Sequence, residues 1–206
     1  PTTFPPNDPR KPWVSGVVDW TVSDANTNTT YLLHPYYSSL APYFANSKNV
    51  FKCPADKYLS SAQRSAGFSE RIRSVSGNVY LGGKAGSSPG DIPSGQPADL
   101  NYFSIVTKMT QLTTPGPAST FVYLDEQADS INDAAYFAPY GGKWYDLPAN
   151  YHNDAAGFAF ADGHSEIHRW QGSVRGVKVT TSGFPGLTVS TSDRDYVWVR
   201  ERTQHQ

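Results

Sequence analysis

The 206-residue chain has little cysteine, no dominant sign of charge and no long apolar run. Its one cysteine, Cys53, excludes an intramolecular disulfide and any metal site built from cysteines alone. Lys and Arg number 17 against 18 Asp and Glu, so composition gives no support for a nucleic-acid or membrane-surface partner. The longest apolar runs, near residues 121–124 and 155–161, are too short to span a bilayer.

Aromatic residues, glycine and proline are plentiful instead. The chain has 13 Tyr, 5 Trp, 17 Gly and 16 Pro, and only 17% of its residues are charged. Such a composition favours strands, turns and long ordered loops over helices. We therefore expect an α+β fold that is mostly β, with a Pro-rich linker or cut point at residues 1–12 and a single domain at 13–206.

Local patterns predict strands at several places. Residues 119–125 are typical of a buried strand that ends at Asp125, and residues 71–82 alternate as a strand does. Residues 172–199 add short strands rich in Val and Thr, the last of them at 196–199. These segments support a domain with few helices.

The clearest local structure is a hairpin. Residues 155–161 and 164–170 are strand-like and are separated by Asp162 and Gly163. Glycine adopts positive φ angles at no steric cost, and Asp-Gly is typical of a two-residue type I′ turn. We therefore predict that both turn residues have positive φ and that the strands pair directly across them.

The two-residue turn also predicts which side chains share a face. It places Ala161 opposite His164 and Phe158 opposite Ile167, and directly opposed residues lie on the same side of a sheet. An apolar face then carries Phe158, Phe160, Ser165 and Ile167, and a polar face carries His164, Glu166 and His168.

A longer motif includes the hairpin. His152 is followed by nine residues and then by Asp162-Gly163, in YHNDAAGFAFADGHSEIHRW, and this resembles the C-terminal H-x9-DG motif of prepilin-type processing-associated proteins. These type IV pilin-like proteins are abundant in planctomycete and verrucomicrobial genomes. Six further segments agree with that family in the same order: NTNTTYL at 26–32, SSLAPYF at 38–44, FKCPAD at 51–56, RIRSVSGN at 71–78, DEQADSIND at 125–133 and DYVWVRERT at 195–203.

The resemblance implies a pilin-like architecture. In that architecture a long hydrophobic N-terminal helix, processed by a prepilin peptidase, packs against a C-terminal antiparallel sheet. The helix is absent from this sequence, which therefore looks like the soluble part of a larger protein. The chain departs from the family at Gly77, where relatives tend to have Met, so this position is expected to be less well packed.

The resemblance also implies a function and a location. The chain would be the soluble domain of a pseudopilin-like subunit in a type II secretion or type IV pilus-like assembly, and not an enzyme. Its partners would be other pilin-like subunits or the secretion machinery. It would be extracytoplasmic, either periplasmic or at the cell surface, with the full-length form anchored in the inner membrane.

The aromatic content supports a second hypothesis. Trp and Tyr rings can stack on sugars, so the chain could be a secreted carbohydrate-binding protein, a polysaccharide lyase or a glycoside hydrolase on a pilin-like scaffold. Tyr140, Tyr151 and His152 are then the acid–base candidates, and Asp125, Glu126 and Asp162 the carboxylate candidates. A groove lined by aromatic rings and converging acids would favour this hypothesis, whereas an exposed apolar stripe would favour the assembly subunit.

The acidic stretch after residue 124 is a candidate calcium site. It contains Asp125, Asp129, Asn132 and Asp133, and calcium accepts many oxygen ligands in flexible geometry. The spacing does not match an EF-hand loop, and solvated loop acids are the alternative. No other cofactor is required by the sequence.

The histidines of the hairpin are a weaker metal candidate. His164, Glu166 and His168 share the predicted polar face and carry ligand types that divalent ions accept. However, His164 and His168 are four residues apart on a strand, which separates them by about 13 Å, too far to share one ion. A solvated polar face is the expected outcome.

Cys53 and the H-x9-DG unit are expected to be structural. Cys53 is interpreted as a turn residue packed beneath Pro54 and not as a nucleophile, because the sequence shows no base beside it. His152, Asp162 and Gly163 are interpreted as a folding element, with His152 tying the start of the hairpin to its surroundings.

Overall fold

The computed structural model of the protein describes residues 12–82 and 103–205, which form a mixed α/β arrangement. Helix and strand each account for about 19% of these residues, so the predicted excess of β-structure is wrong and long loops make up the rest. All of the predicted linker except Pro12 lies outside the described residues. The α-helices are α1 (Thr30–Leu33), α2 (Ser61–Ser65) and α3 (Arg194–Glu201), and the other helical residues form short 3-10 helices at Asp24–Asn26, Ala41–Tyr43, Lys48–Phe51, Met109–Gln111 and Pro117–Ser119. The strands are β1 (Val75–Asn78), β2 (Phe121–Asp125), β3 (Ala135–Tyr136), β4 (Lys143–Trp144), β5 (Ala155–Phe160), β6 (Ser165–Arg169) and β7 (Leu187–Thr188).

Five strands form the main sheet, in the order β3-β1-β2-β5-β6. Neighbouring strands are antiparallel except β1 and β3, which run parallel. The sheet is therefore mixed, and the wholly antiparallel sheet implied by the family resemblance is not found. The parallel pair forms because residues 126–134 carry the chain from β2 across to the far edge of β1. Strands β4 and β7 form a separate two-stranded sheet.

One face of the main sheet packs on the larger apolar core. Leu124 and Phe158 lie opposite each other on this face, and the rings of Phe121 and Phe158 meet edge to face with centroids 5.6 Å apart. Trp170 and Tyr196 join the same cluster from a loop and from α3. Burying side chains of this size stabilises a fold by about 1.5–3 kcal/mol each relative to leaving them exposed. This face is therefore a main source of stability.

The C-terminal segment is a helix, although a strand is predicted at 196–199. Asp193 caps α3, and its carboxylate accepts hydrogen bonds from the backbone amides of Asp195 and Tyr196 at 3.2 and 3.0 Å. The cap satisfies amides that have no partner within the first helical turn. Tyr196 and Val199, three residues apart, then face the core. The strand prediction is wrong because a short apolar run fits a buried helix face equally well.

The hairpin is present, but its turn has three residues and not two. The amide of Phe160 donates to the carbonyl of His164 at 2.9 Å, and the amide of Gly163 donates to the carbonyl of Phe160 at 3.0 Å. Gly163 has a φ of +96°, as predicted, whereas Asp162 does not adopt positive φ. A three-residue loop closed by a left-handed glycine is another common hairpin connection, and the dipeptide Asp-Gly fits both.

The extra turn residue shifts the strand pairing by one and therefore moves side chains to the opposite face. Phe158 pairs with Glu166 and not with Ile167. His164, Glu166 and His168 consequently share the face of Phe158. Ile167 lies on the other face and is 63% exposed. The predicted division into an apolar and a polar face is wrong.

Candidate functional site: a sheet groove and a cysteine-histidine-aspartate cluster

The sheet face turned away from the larger core carries a groove. Its floor is formed by β2 and β5, where Tyr123 lies opposite Ala159 and Gly157 is two residues before Ala159 on the same face. The groove has a volume of about 450 Å³, which is within the range of ligand-binding cavities. Val75 and Ile167 are among its other apolar lining residues. The small side chains of Gly157 and Ala159 therefore leave open space above the β5 part of the floor.

Aromatic rings form one wall of the groove. Trp13 packs against Tyr123 and Phe51, with ring centroids 4.8 and 6.1 Å away, and its indole N–H donates to the carbonyl of Ala134 at 2.8 Å. Trp13 also covers Gly77, because a Cβ at that glycine would lie 3.1 Å from the indole nitrogen. The position expected to be loosely packed is therefore filled by Trp13.

Beside the groove, Cys53, Asp125 and His152 converge. The Sγ atom of Cys53 lies 3.3 Å from Nε2 of His152, and the same Nε2 lies 3.4 Å from Oδ2 of Asp125. The three atoms all lie within 4.8 Å of one another. Asp125 also lines the groove, so this Cys-His-Asp cluster lies at the groove's edge. Sequence reasoning missed the partnership of Cys53 with His152.

A tight turn holds Cys53 in the cluster. The amide of Asp56 donates to the carbonyl of Cys53 at 3.1 Å, and the amide of Cys53 donates to Oγ of Ser74 at 2.7 Å. The backbone amides of Ala55 and Asp56 partly oppose the rise in the pKa of the Cys53 thiol that burial causes. Pro54 favours the turn because its ring presets the backbone φ angle.

Buried cations pair with Asp56, the last residue of the turn that holds Cys53. The Asp56 carboxylate lies 2.5 Å from Nζ of Lys52 and 3.9 Å from the guanidinium of Arg71. Arg71 is fully buried, stacks over the ring of Trp20 at 4.0 Å and donates to the carbonyl of Ala128 at 3.0 Å. A buried guanidinium needs such partners to offset its loss of hydration.

Strand β2 and a glycine on β5 position Asp125. Its Oδ2 atom accepts a hydrogen bond from the amide of Gly157 at 3.1 Å. A Cβ at Gly157 would lie only 2.9 Å from the same oxygen, so a larger residue there would displace the carboxylate. Glycine at this position therefore allows the carboxylate to lie against the strand and point at His152.

The loop before β5 turns sharply to present His152. Asn153 and Asp154 follow with φ angles of +57° and +59°, a left-handed conformation that Asn and Asp tolerate better than most residues. The amide of His152 donates to the carbonyl of Ala155 at 3.2 Å and closes this turn. The start of the hairpin is thus joined to Cys53 and Asp125 through one imidazole.

Burial disfavours negative charge in the cluster when no cation is present. Burial raises the pKa of the Cys53 thiol, and the nearby Asp125 carboxylate raises it further. Burial likewise raises the pKa of Asp125, although the hydrogen bond from Gly157 and the contact with His152 oppose the rise. A bound cation would favour the charged form of both groups.

The cluster does not have the arrangement of a catalytic triad. In a triad the histidine uses one ring nitrogen for the nucleophile and the other for the carboxylate. Here Cys53 and Asp125 both contact Nε2 of His152. An acid–base relay through the ring is therefore not formed, whereas three donor atoms around one point can hold a metal ion.

The other residues of the carbohydrate hypothesis do not join this cluster. The Tyr151 hydroxyl is half-buried and lies 3.5 Å from the carbonyl of Glu126, and burial raises its pKa well above the usual range. Asp162 lies at the tip of the hairpin, where its carboxylate contacts the His164 ring at 2.6 Å. Asp125 is bonded to Gly157, and Asp162 lies five residues beyond that glycine. The strand from Gly157 to Phe160 alone separates the two aspartates by about 10 Å.

The predicted calcium ligands bond to separate partners. The Asp129 carboxylate accepts from the amide and the hydroxyl of Thr180 at 2.6 and 2.9 Å. Asn132 Oδ1 accepts a hydrogen bond from the amide of Asp133. The carboxylate of Asp133 accepts one from the amide of Ala135 at 2.8 Å. Asp125 belongs to the Cys-His-Asp cluster. A calcium site in this stretch stays a prediction.

Aromatic rings engage both histidines of the hairpin. The imidazole of His164 stacks on Phe160 with centroids 4.4 Å apart, and that of His168 stacks on Trp198 at 3.7 Å. Burial, together with the charge of Arg202, lowers the pKa of His168 to about 4. These rings are packing elements and do not converge on a shared ion. Among residues 12–82 and 103–205, the Cys-His-Asp cluster is the one group of three His, Cys, Asp or Glu side chains whose ligand atoms lie close enough together to hold one ion.

The chain was compared with known protein families, curated proteins and solved structures, and none of them matches it. In the described part of the chain, no helix has both the length and the apolar character needed to cross a membrane. Functional inference therefore depends on the groove and the cluster.

Proposed function

We propose that this chain is the globular domain of a pseudopilin-like subunit of a type II secretion or type IV pilus-like assembly. The observation that carries the proposal is the apolar groove on the second face of the sheet. An apolar helix occupies this groove in the proposed subunit, and the partners are other pilin-like subunits or the secretion machinery. The domain is extracytoplasmic, and the full-length form is anchored in the inner membrane.

The floor of the groove suits a helix because its side chains are small. Gly157 and Ala159 project little or nothing from β5, so a helix backbone can approach closely. Ile167 and Val75 add apolar surface beside them, and Ile167 is 63% exposed when the groove is empty. A helix with apolar side chains would remove this surface from water, which is favourable by about 25 cal/mol per Å².

The same lining is poorly suited to a sugar. Sugar hydroxyls need hydrogen-bond partners, and Val75, Ala159 and Ile167 provide none with their side chains. The carboxylate of Asp125 is already engaged by the amide of Gly157. Aromatic rings are present in one wall, and the lining includes two acidic residues, Asp125 and Glu166. Glu166 pairs with Phe158, so its side chain belongs to the opposite face of the sheet and does not converge with Asp125 as a glycosidase requires.

The aromatic wall of the groove is fixed at Trp13. The carbonyl of Pro12 accepts a hydrogen bond from the amide of Ser39 at 2.9 Å, and the indole N–H of Trp13 donates to the carbonyl of Ala134 at 2.8 Å. The wall is therefore held by contacts within the domain.

Site-specific photocrosslinking of the complete gene product in its host tests the proposal. p-Benzoylphenylalanine replaces Ile167 in the groove and, in a matched control, Tyr43, which is 80% exposed and does not line the groove. We expect the probe at Ile167 to capture an apolar helix of the same chain or of another pilin-like subunit, identified by mass spectrometry. The control should not capture it. The proposal is contradicted if the probe at Ile167 captures no apolar helix and the complete gene product encodes no such helix.

Filling the groove separates the subunit from the carbohydrate hypothesis. Ala159→Trp places a large ring on the floor, so it should prevent helix capture by the probe at Ile167 while the domain stays folded. The purified domain is also screened for binding and cleavage of polysaccharides. If the parent binds or cleaves a polysaccharide and Ala159→Trp abolishes this, the groove is a carbohydrate site and the subunit proposal fails.

A further inference from the structure

We propose that Cys53, Asp125 and His152 bind one zinc ion, with a water molecule in the fourth coordination position. The three ligands come from one chain, so the site does not depend on assembly or on the proposed function. It also differs from the predicted calcium site, because its donors are one sulfur, one nitrogen and one oxygen. Calcium and magnesium prefer oxygen ligands throughout, whereas zinc accepts this mixed set.

The donor atoms are spaced as zinc requires. Zinc binds thiolate sulfur at about 2.3 Å and imidazole nitrogen or carboxylate oxygen at about 2.0–2.2 Å, in a tetrahedron. A tetrahedron with these bond lengths places the sulfur about 3.5 Å and the oxygen about 3.4 Å from the nitrogen. The corresponding distances from Nε2 of His152 are 3.3 and 3.4 Å. The sulfur and the oxygen lie within 4.8 Å of each other, against about 3.6 Å in such a tetrahedron, so an ion fits if these two side chains approach each other by up to about 1 Å.

Hydrogen bonds explain the geometry less completely than a metal ion does. The Cys53 sulfur and the Asp125 carboxylate both approach the same ring nitrogen of His152. A ring nitrogen of neutral imidazole either donates a proton or accepts one. If it accepts from the thiol, its lone pair also faces the carboxylate. If it carries the proton, that single N–H is shared between Asp125 and the weak sulfur acceptor. A cation on that lone pair attracts both neighbours at once.

The surroundings of the cluster fix the cysteine in place and leave an ion accessible. The amide of Cys53 donates to Oγ of Ser74 at 2.7 Å, and the amide of Asp56 donates to the carbonyl of Cys53 at 3.1 Å, so the cysteine is held beside His152. The side chains of His152 and Asp125 are 31% and 14% exposed, so solvent reaches the cluster. Water can therefore fill the position that the protein leaves open, as in zinc sites with three protein ligands.

Cobalt substitution tests the proposal directly because Cys53 is the one cysteine of the chain. Co²⁺ adopts the geometry of zinc, and thiolate ligation gives it a charge-transfer band in the near ultraviolet. We expect the reduced, metal-free 206-residue chain to bind one equivalent of Co²⁺ with this band and to lose the band when Zn²⁺ displaces it. The thiol proton passes to the buffer on binding. A folded chain that shows no thiolate band overturns the proposal.

Substitutions identify the remaining ligands by calorimetric titration with Zn²⁺. Cys53→Ala, Asp125→Asn and His152→Gln should each weaken affinity by about 100-fold or more, because changes to outer-shell groups alone cost 10–100-fold. The matched control is His164→Gln, since His164 also contacts an aspartate, Asp162, but has no cysteine beside it. This control should bind like the parent. Equal zinc affinity of the parent and the three ligand variants overturns the proposal. If a variant fails to fold, the presence or absence of the cobalt band in the parent tests the proposal instead.

Discussion

The two faces of the five-stranded sheet differ in the size and exposure of the side chains that they present. On one face Leu124 and Phe158 are each only 2% exposed and pack in the larger core. On the other face Gly157 and Ala159, from the same strand as Phe158, form the floor of the groove. Ile167, on the neighbouring strand, is 63% exposed there.

The difference arises from the alternation of large and small residues along β5. Successive side chains of a strand point to opposite faces, so Phe158 and Phe160 enter the core while Gly157 and Ala159 face the groove. One strand thereby supports both stability and an open surface. Substitutions on the two faces should therefore affect stability and binding separately.

The largest expected effect comes from emptying the core face. Phe158→Ala should lower the free energy of unfolding by about 3–5 kcal/mol, because it removes a buried ring and leaves a cavity. Ile167→Ala, on the groove face, should change it by no more than about 0.5 kcal/mol, as is usual for exposed positions. Urea denaturation of both variants measures the difference. Similar losses for the two variants would break the comparison of the faces.

A second effect depends on pH and concerns a carboxyl group beside the core. Burial raises the pKa of Asp146 to about 7, and its carboxylate accepts from the amide of Phe137 at 2.7 Å. The pKa of an Asp side chain is about 3.9 in an unfolded chain, so the folded protein favours the protonated form of Asp146. The parent is therefore most stable below about pH 3.9 and loses stability as the pH rises to about 7. Asp146→Asn cannot ionise and keeps the hydrogen-bond acceptor.

We therefore expect Asp146→Asn to match the parent near pH 4 and to be more stable by about 1–3 kcal/mol near pH 8. The lower part of this range allows for the partial exposure of the Asp146 side chain. Denaturation curves at the two pH values measure the change. A stability difference that is the same at both pH values contradicts the assigned role of burial.

The turn that assigns β6 side chains to their faces gives a third prediction. Gly163→Val should cost about 1–3 kcal/mol, because valine is strained at the observed φ of +96°. Gly116→Val is a matched control, since Gly116 has a φ of −70° and, like Gly163, has open space around its Cβ position. Thermal melts should show a loss only for Gly163→Val. Equal losses would mean that side-chain bulk, and not backbone strain, is responsible.

The smallest effect is expected at the edge of the groove face. Without metal, His152→Ala should cost about 1 kcal/mol through its lost contacts with Cys53 and Asp125. The exposed His164→Ala should cost less. With excess zinc, only the gap between the parent and His152→Ala should widen, because a ligand that binds the folded state stabilises it by mass action. Melting temperatures with chelator and with zinc measure both quantities.

Local features of this fold can be predicted from the sequence, because they depend on neighbouring residues. Strand β2 lies within the predicted 119–125, strand β1 lies within the predicted 71–82, and Gly163 has the positive φ of an Asp-Gly turn. The register of the hairpin is not predictable in this way, because turns of two and three residues share that dipeptide. Helix α3 is not predicted, because the feature that starts it, the cap at Asp193, lies outside the apolar pattern from which a strand is predicted.

The Cys-His-Asp cluster depends on contacts that no periodic pattern describes. Cys53 and His152 are separated by 99 positions in the chain and meet through loops. The available signal is the predicted resemblance to a pilin-like family, in which FKCPAD and H-x9-DG would both be motifs. That signal gives no distance, so the convergence on Asp125 becomes visible only in three dimensions.

A chain with one cysteine cannot close a covalent ring on itself, but the cluster joins positions that are 99 apart. An ion held by Cys53 and His152 makes the intervening chain a closed ring, which Asp125 divides into a larger and a smaller one. Closing a ring of about 100 residues removes roughly 4.7 kcal/mol of conformational entropy from the unfolded chain if the crosslink persists there. An ion that is released on unfolding leaves that entropy intact, and the melting temperature then keeps rising with free zinc. The response to zinc concentration thus distinguishes a lasting ring from one that opens with the fold.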